Sequence, residues 1–88
     1  MKTLTLFTTL GCHLCEEAEQ LMNPVLASKG YRLKKVEISE SEELVNLYGI
    51  RIPVIQRLVL DTDGSESLME MGWPFGAEQL HEFLIDQE

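Results

Sequence analysis

Residues 8–22 read TTLGCHLCEEAEQLM and place two cysteines, Cys12 and Cys15, where a strand-like pattern gives way to a helical one. The residues just before this stretch are apolar or β-branched, which predicts a buried strand over 3–8. Gly11 interrupts that run, and from Cys12 onward apolar residues recur at helical spacing. The sequence therefore predicts a C-x-x-C pair at the start of a helix.

The helical pattern gives the two sulfurs different surroundings. At ~100° per residue, Cys15 lies on the edge of an apolar stripe and Cys12 lies outside it, so we expect Cys12 to be the more accessible. First-turn N–H groups and the helix dipole favour a thiolate at Cys12. Such a thiolate can attack a disulfide, and Cys15 can resolve the mixed disulfide that forms. The stripe comprises Leu14, Cys15, Ala18, Leu21, Met22, Val25 and Leu26.

The middle of the chain predicts a second strand and a second helix. Pro24 predicts a kink or break in the first helix near Asn23, and Gly30 predicts its end. A poorly alternating strand over 31–38 is typical of a sheet edge. The spacing of Ser39 and Glu42 predicts a capping box. The helix that follows has an apolar side formed by Leu44, Val45, Leu47 and Tyr48.

The C-terminal part predicts a hairpin and a last helix. A β-branched run starts at Pro53, and the turn at 61–64 returns the chain through Met71. A helix starts at Gly76, and its apolar residues Ala77, Leu80, Phe83 and Leu84 are expected to face the core. The predicted order is β-α-β-α-β-β-α, in which the first two strands form a right-handed parallel βαβ unit.

Composition limits the class of protein. The chain has 88 residues and 44% apolar content, which supports one domain over 1–88. Fifteen acidic against seven basic residues give a net charge of −8, which repels nucleic acid and anionic lipid.

The opening residues are too short for a signal h-region, and no segment approaches the ~20 apolar residues of a membrane span. We therefore expect a cytoplasmic monomer with no nucleic-acid or membrane partner. In such a reducing compartment a lone C-x-x-C pair is more often redox-active or metal-binding than structural.

Two separate motifs carry a resemblance to a known family. Gly11-Cys12-His13-Leu14-Cys15 at a strand-to-helix turn, with Ile52-Pro53-Val54 opening a later strand, resembles the thioredoxin superfamily and most closely its small glutaredoxin-like members. Trp73-Pro74-Phe75 before the last helix resembles one glutaredoxin-like subgroup. The resemblance implies an α/β, thioredoxin-like three-layer sandwich with a four-stranded mixed sheet and helices on both faces. It also implies a thiol-disulfide oxidoreductase in which Cys12 is the nucleophile and Cys15 the resolver.

The resemblance also indicates how a substrate is held. It implies that Pro53 is cis and lies beside the Cys12 sulfur, and that the backbone of Ile52 pairs with the thiol substrate. The basic residue that glutaredoxins carry before the first cysteine, and their Gly-Gly pair before the last helix, are absent from this chain. Arg51 is then the basic candidate for a substrate carboxylate, and Trp73 is a candidate to line the groove. We expect protein or low-molecular-weight disulfides and thiols as partners, glutathione as a candidate co-substrate, and no tightly bound cofactor.

Other interpretations of the cysteine pair are kept as alternatives. A closed zinc site needs four ligands, and His13 and His81 are the only histidines available to join the cysteines, so we expect no metal site. His13 is more often a solvated helix residue than a proton shuttle, with a modulating charge near Cys12 as its candidate role. His81 is expected on the surface. The alternative functions are a non-catalytic adapter or redox sensor that binds a protein, and, less favoured, an iron–sulfur or metal carrier.

Overall fold

A computed structural model describes residues 2–85, so residues 1 and 86–88 of the predicted domain lie outside the described part. The strands are β1 (Lys2–Thr8), β2 (Tyr31–Glu37), β3 (Val54–Leu60) and β4 (Glu66–Gly72). The α-helices are α1 (His13–Lys29), α2 (Glu42–Tyr48) and α3 (Ala77–Phe83), with a 3-10 turn at Ile38–Glu40. The sheet order is β2-β1-β3-β4, with β1 parallel to β2 and the other neighbouring pairs antiparallel. The predicted fold class and element order are confirmed.

Two apolar cores lie on opposite faces of this sheet. Alternation along β1 directs Leu6 to one face and Phe7 to the other, and both are buried. α1 and α3 cover the first face with Met22 and Leu80, which are fully buried. α2 covers the second face through Tyr48, whose ring stacks on Phe7 with the centroids 4.1 Å apart. Helices on both faces thus produce three layers.

α1 runs without interruption through Pro24, so the predicted break near Asn23 is wrong. Pro24 is exposed, whereas Met22 and Val25 beside it are buried against the sheet. Packing of this apolar stripe keeps the segment helical even though Pro24 has no N–H to donate. Gly30 ends the helix with φ 73°, and its N–H donates to carbonyls of the last turn, as predicted.

α2 begins after Ser41, so the predicted capping position at Ser39 is wrong. The Ser41 Oγ accepts a hydrogen bond from the backbone N–H of Leu44 at 3.3 Å. Ser39 lies instead in the 3-10 turn, where its N–H donates to the carboxylate of Glu37 at 3.0 Å. Because Glu37 takes this donor, Ser39 is held outside the helix that follows.

Several apolar residues expected in the core are exposed instead. Leu14, Val45 and Leu47 are 49%, 43% and 51% exposed, and Ala77 is exposed as well. Leu14 and Ala77 lie in the first turns of their helices, and α2 has only seven residues and presents one narrow side to the sheet. Among residues 2–85, no helix has both the length and the apolar content that crossing a bilayer requires.

Candidate active site

The predicted site residues lie at one end of the sheet, in three loops and in the first turn of α1. Cys12 lies in the loop between β1 and α1, directly before the first residue of α1, and Pro53 precedes the first residue of β3, which runs antiparallel to β1. Trp73 follows the last residue of β4, which runs antiparallel to β3. Antiparallel neighbours place the end of one strand beside the start of the next, so the three loops share this end. One hydrogen bond joins two of them, because the Trp73 N–H donates to the Pro53 carbonyl at 3.1 Å.

Cys12 and Cys15 form a disulfide at the start of α1, with their Cα atoms 5.2 Å apart. Gly11 has φ 77°, which lets the chain turn from β1 toward the helix. Cys12 is the N-cap residue, and its sulfur accepts a hydrogen bond from the Cys15 N–H at 3.1 Å. Cys12 is partly exposed and Cys15 is 1% exposed, so the expected difference in exposure between the two is confirmed.

The loop before the cysteines is fixed by Glu37, the last residue of β2. Its carboxylate accepts the backbone N–H of Leu10 at 2.9 Å and that of Ser39 at 3.0 Å. The pKa of the Glu37 carboxyl is lowered, chiefly by the Ser39 N–H, then by the side chain of Thr9, and also by the Leu10 N–H. A charged carboxylate therefore anchors this loop. Glu37 was not among the residues predicted from the sequence. The feature that pointed to it is its position at the end of a strand parallel to β1, opposite Thr8.

A cleft of about 340 Å³ opens beside the disulfide. It lies between the β1–α1 loop, the first turns of α1 and the end of β2, and both cysteines line it. Its charged side chains are Glu16, Glu19, Glu37 and Lys35. The Lys35 Nζ lies 3.3 Å from the Glu19 carboxylate. Pro53 and the other predicted groove residues do not line this cleft, so it is a separate side of the site.

Arg51, predicted to hold a substrate carboxylate, contacts a carboxylate of the protein itself. Its Nη2 lies 3.5 Å from Oε1 of Glu70, and its guanidinium lies 5.4 Å from the centre of the Tyr48 ring. The Tyr48 hydroxyl and the Gln56 amide also donate to Glu70. The Tyr48 hydrogen bond is the main cause that lowers the pKa of Glu70, and burial is the main cause that raises the pKa of Tyr48. A substrate carboxylate would have to compete with Glu70 for Arg51.

The remaining predicted residues have clear surroundings. The His13 side chain is 95% exposed and its Nδ1 lies 3.5 Å from Glu16, so it is solvated as expected. His81 is exposed, also as expected.

Trp73 is partly buried and meets Phe75 edge-on, with the centroids 5.0 Å apart. The Ile52–Pro53 bond is cis, as the resemblance implies. Within the described range 2–85, no group of three or more His, Cys, Asp or Glu is placed to hold a metal ion.

Comparisons with known proteins cover almost the whole chain. Residues 3–85 match the family model described as Glutaredoxin-like domain (DUF836). Among solved structures, the X-ray structure of a structural genomics target protein, XcR50 from X. campestris, is similar to this chain, with a TM-score of 0.65 and 31% sequence identity. The match covers 92% of this chain and 93% of that one. No curated protein matches the chain.

Proposed function

The chain belongs to the glutaredoxin-like domain family, and from that premise we propose that it is a thiol-disulfide oxidoreductase acting through Cys12 and Cys15. The observation that carries this proposal is the geometry of the Cys12 sulfur. It caps a 17-residue helix, accepts the Cys15 N–H at 3.1 Å, and is partly exposed while its partner is buried. A sulfur in this position is stabilised as an anion and can be reached by a substrate.

The reaction follows from the different exposure of the two sulfurs. In the reduced protein, the Cys12 thiolate attacks one sulfur of a substrate disulfide, and the other sulfur leaves with the bonding electrons and takes up a proton. The Cys15 thiolate then attacks the Cys12 sulfur and releases the second substrate thiol. Two electrons pass to the substrate, and the protein is left with the Cys12–Cys15 disulfide. A thiol reductant, with glutathione as one candidate, reverses these steps and restores the dithiol.

In this proposal the substrate backbone contacts three residues, Ile52, Pro53 and Trp73. Their position at the cysteine end of the sheet and the hydrogen bond from Trp73 to Pro53 support this assignment. Arg51 binds a substrate carboxylate only if Glu70 releases it. We further propose that the protein works as a monomer in the cytoplasm on protein or low-molecular-weight disulfides. Its net charge of −8 supports the absence of nucleic-acid and membrane partners.

Trapping the mixed disulfide tests the proposal. Reduced Cys15→Ser protein is mixed with hydroxyethyl disulfide, a small neutral disulfide, and the product is examined by intact mass and peptide mapping. We expect one stable adduct on Cys12, because the resolving thiol is gone. Cys12→Ser protein is the matched control and should form its adduct at least ~10-fold more slowly, because Cys15 is 1% exposed.

Two results would contradict the exchange mechanism. One is the absence of an adduct on Cys15→Ser protein whose circular dichroism shows that it is folded. The other is equal labelling of the two single variants, which would mean that position and exposure do not select the nucleophile. The first result would favour the adapter alternative, in which a protein partner binds equally well after both cysteines are replaced, and the second would overturn the assignment of Cys12 as the nucleophile.

A further inference from the structure

The cleft beside the disulfide has an excess of negative charge. Among residues 2–85, the carboxylates of Glu16, Glu19 and Glu37 line it against one lysine, Lys35. Lys35 is paired with Glu19, and their charges offset each other. Glu37 is ionised at neutral pH, because backbone N–H donors lower the pKa of its carboxyl. His13 lies near Glu16 and offsets its charge only when protonated.

Arg51, the basic residue described on the opposite side of the site, does not compensate this charge. Arg51, next to Ile52 and Pro53 in sequence, is paired with Glu70 and lies over the ring of Tyr48. Its positive charge is therefore already directed at a carboxylate of the protein. Glutathione has two carboxylates and a net negative charge. At this site the carboxylates of the cleft repel it, and Glu70 competes with it for Arg51.

Exposed apolar side chains occur next to the cysteines in the chain and in the loop before Pro53. Leu10 lines the cleft and is 92% exposed, and Leu14 is 49% exposed. Ile50 is fully exposed. Removing exposed apolar area from water on binding is favourable. A polypeptide can cover these side chains more fully than a tripeptide can.

We infer that the preferred oxidised substrate is a protein segment with a basic residue beside its disulfide cysteine, rather than a glutathione disulfide. This inference rests on the proposed exchange function. The Cys12 thiolate attacks the substrate disulfide as described above, and the basic side chain enters the cleft next to Glu16 and Glu37. The positive charge stabilises the encounter, and it does so less as salt screens the carboxylates.

Peptides of matched sequence test this charge preference. Each contains one cysteine capped as a disulfide by neutral 2-mercaptoethanol, and the flanking position holds Lys, Gln or Glu. Glutathione disulfide is the fourth substrate. The rate of disulfide loss with the reduced protein is divided by the rate with dithiothreitol, which corrects for intrinsic reactivity. We expect the order Lys, Gln, Glu, with a Lys-to-Glu ratio of ~10 at low salt that falls toward ~2 at 0.5 M salt.

Two charge variants locate the effect on the molecule. Glu16→Gln should lower the Lys-to-Glu ratio by about two- to threefold, because Glu16 lines the cleft. Glu17→Gln removes the same charge from the next residue, which is exposed and does not line the cleft, and should leave the ratio nearly unchanged. The ratio compares two peptides on one variant, so a change in the reactivity of Cys12 cancels.

The possible results separate the inference from the function on which it rests. Equal corrected rates for the three peptides, or a faster reaction with glutathione disulfide than with the Lys peptide, would overturn the inference and leave exchange intact. Equal effects of the two variants would overturn the role of the cleft. A protein that reacts with none of these disulfides, nor with hydroxyethyl disulfide, would overturn the proposed function and the inference together.

Discussion

The carboxylate of Glu37, at the end of β2, accepts a hydrogen bond from the backbone N–H of Leu10 at 2.9 Å, across 27 positions in the sequence. The same carboxylate holds the Ser39 N–H at 3.0 Å. One ionised side chain therefore joins the loop that leads into Cys12 to the turn that leads into α2. The position of the cysteine loop depends on a residue that is not part of the C-x-x-C motif.

Replacing Glu37 by Gln should destabilise the protein in a pH-dependent way. The folded-state pKa of Glu37 is lowered, so its stabilisation is present above the unfolded value of about 4.3 and is lost as pH falls through the folded pKa. Urea unfolding at pH 7, 5 and 3.5 should therefore show the largest difference between wild type and Glu37→Gln at pH 7. Glu40→Gln, at an exposed glutamate of the 3-10 turn, is the control. A difference that is the same at all three pH values would contradict the role of the charge.

Gly11→Ala should cost about 1–2 kcal/mol of the free energy of unfolding, because an L side chain is strained at positive φ. Gly11 has φ 77°, and a Cβ added there meets no atom within 4 Å, so the cost is one of backbone conformation alone. Gly72→Ala also meets nothing within 4 Å and lacks the positive φ, which makes it the matched control. Urea denaturation measures both variants, and equal effects would refute the assignment of strain to Gly11.

Tyr48→Phe should destabilise the protein by about 1–2 kcal/mol, because it removes a hydrogen bond to an ionised carboxylate. The stacking on Phe7 is kept, and Glu70 loses the contact that does most to lower the pKa of its carboxyl. The midpoint for titration of Glu70, followed by NMR, should therefore rise in the variant. A double-mutant cycle with Glu70→Gln checks the coupling, and strictly additive effects would show that the two side chains do not interact.

Pro24→Ala should stabilise the protein by about 2 kcal/mol. Alanine restores a helical N–H donor and relieves the clash of the proline ring with the preceding turn, less the entropy that proline removes from the unfolded chain. Pro24 is exposed, so the change leaves the core intact. Asn23→Ala, at the exposed neighbour, should add no more than ~0.7 kcal/mol. If thermal and urea unfolding show no gain in stability for Pro24→Ala, then α1 already accommodates the proline ring without strain.

The sequence predicts those parts of the fold that depend on local pattern. Alternation along β1 assigns Leu6 and Phe7 to opposite faces, and helical spacing in α1 assigns Met22 to the core. Burial that depends on the extent of the neighbouring layer is not predictable in this way. Val45 is exposed because the short α2 faces the sheet only along one side, and Pro24 stays helical because the residues around it are packed.

Some features of the site are likewise predictable from the sequence, and others are not. The different exposure of Cys12 and Cys15 follows from their positions on one helix, and sequence alone is enough to predict it. No local pattern indicates the hydrogen bond between Leu10 and Glu37 or the ion pair between Arg51 and Glu70, because each joins separate strands and loops. Charge composition predicts an acidic surface, but only the fold shows that part of the negative charge lines the cleft beside the disulfide.

The hydrogen bond from Trp73 to Pro53 has a practical consequence for spectroscopy. Trp73 is the only tryptophan of the chain, and its backbone is fixed to the loop assigned to the substrate. Its indole is partly buried and edge-on to Phe75, so its emission wavelength is sensitive to water at this end of the sheet. The protein therefore contains its own fluorophore. Stopped-flow emission can follow the arrival of a peptide in real time, without a label on either molecule.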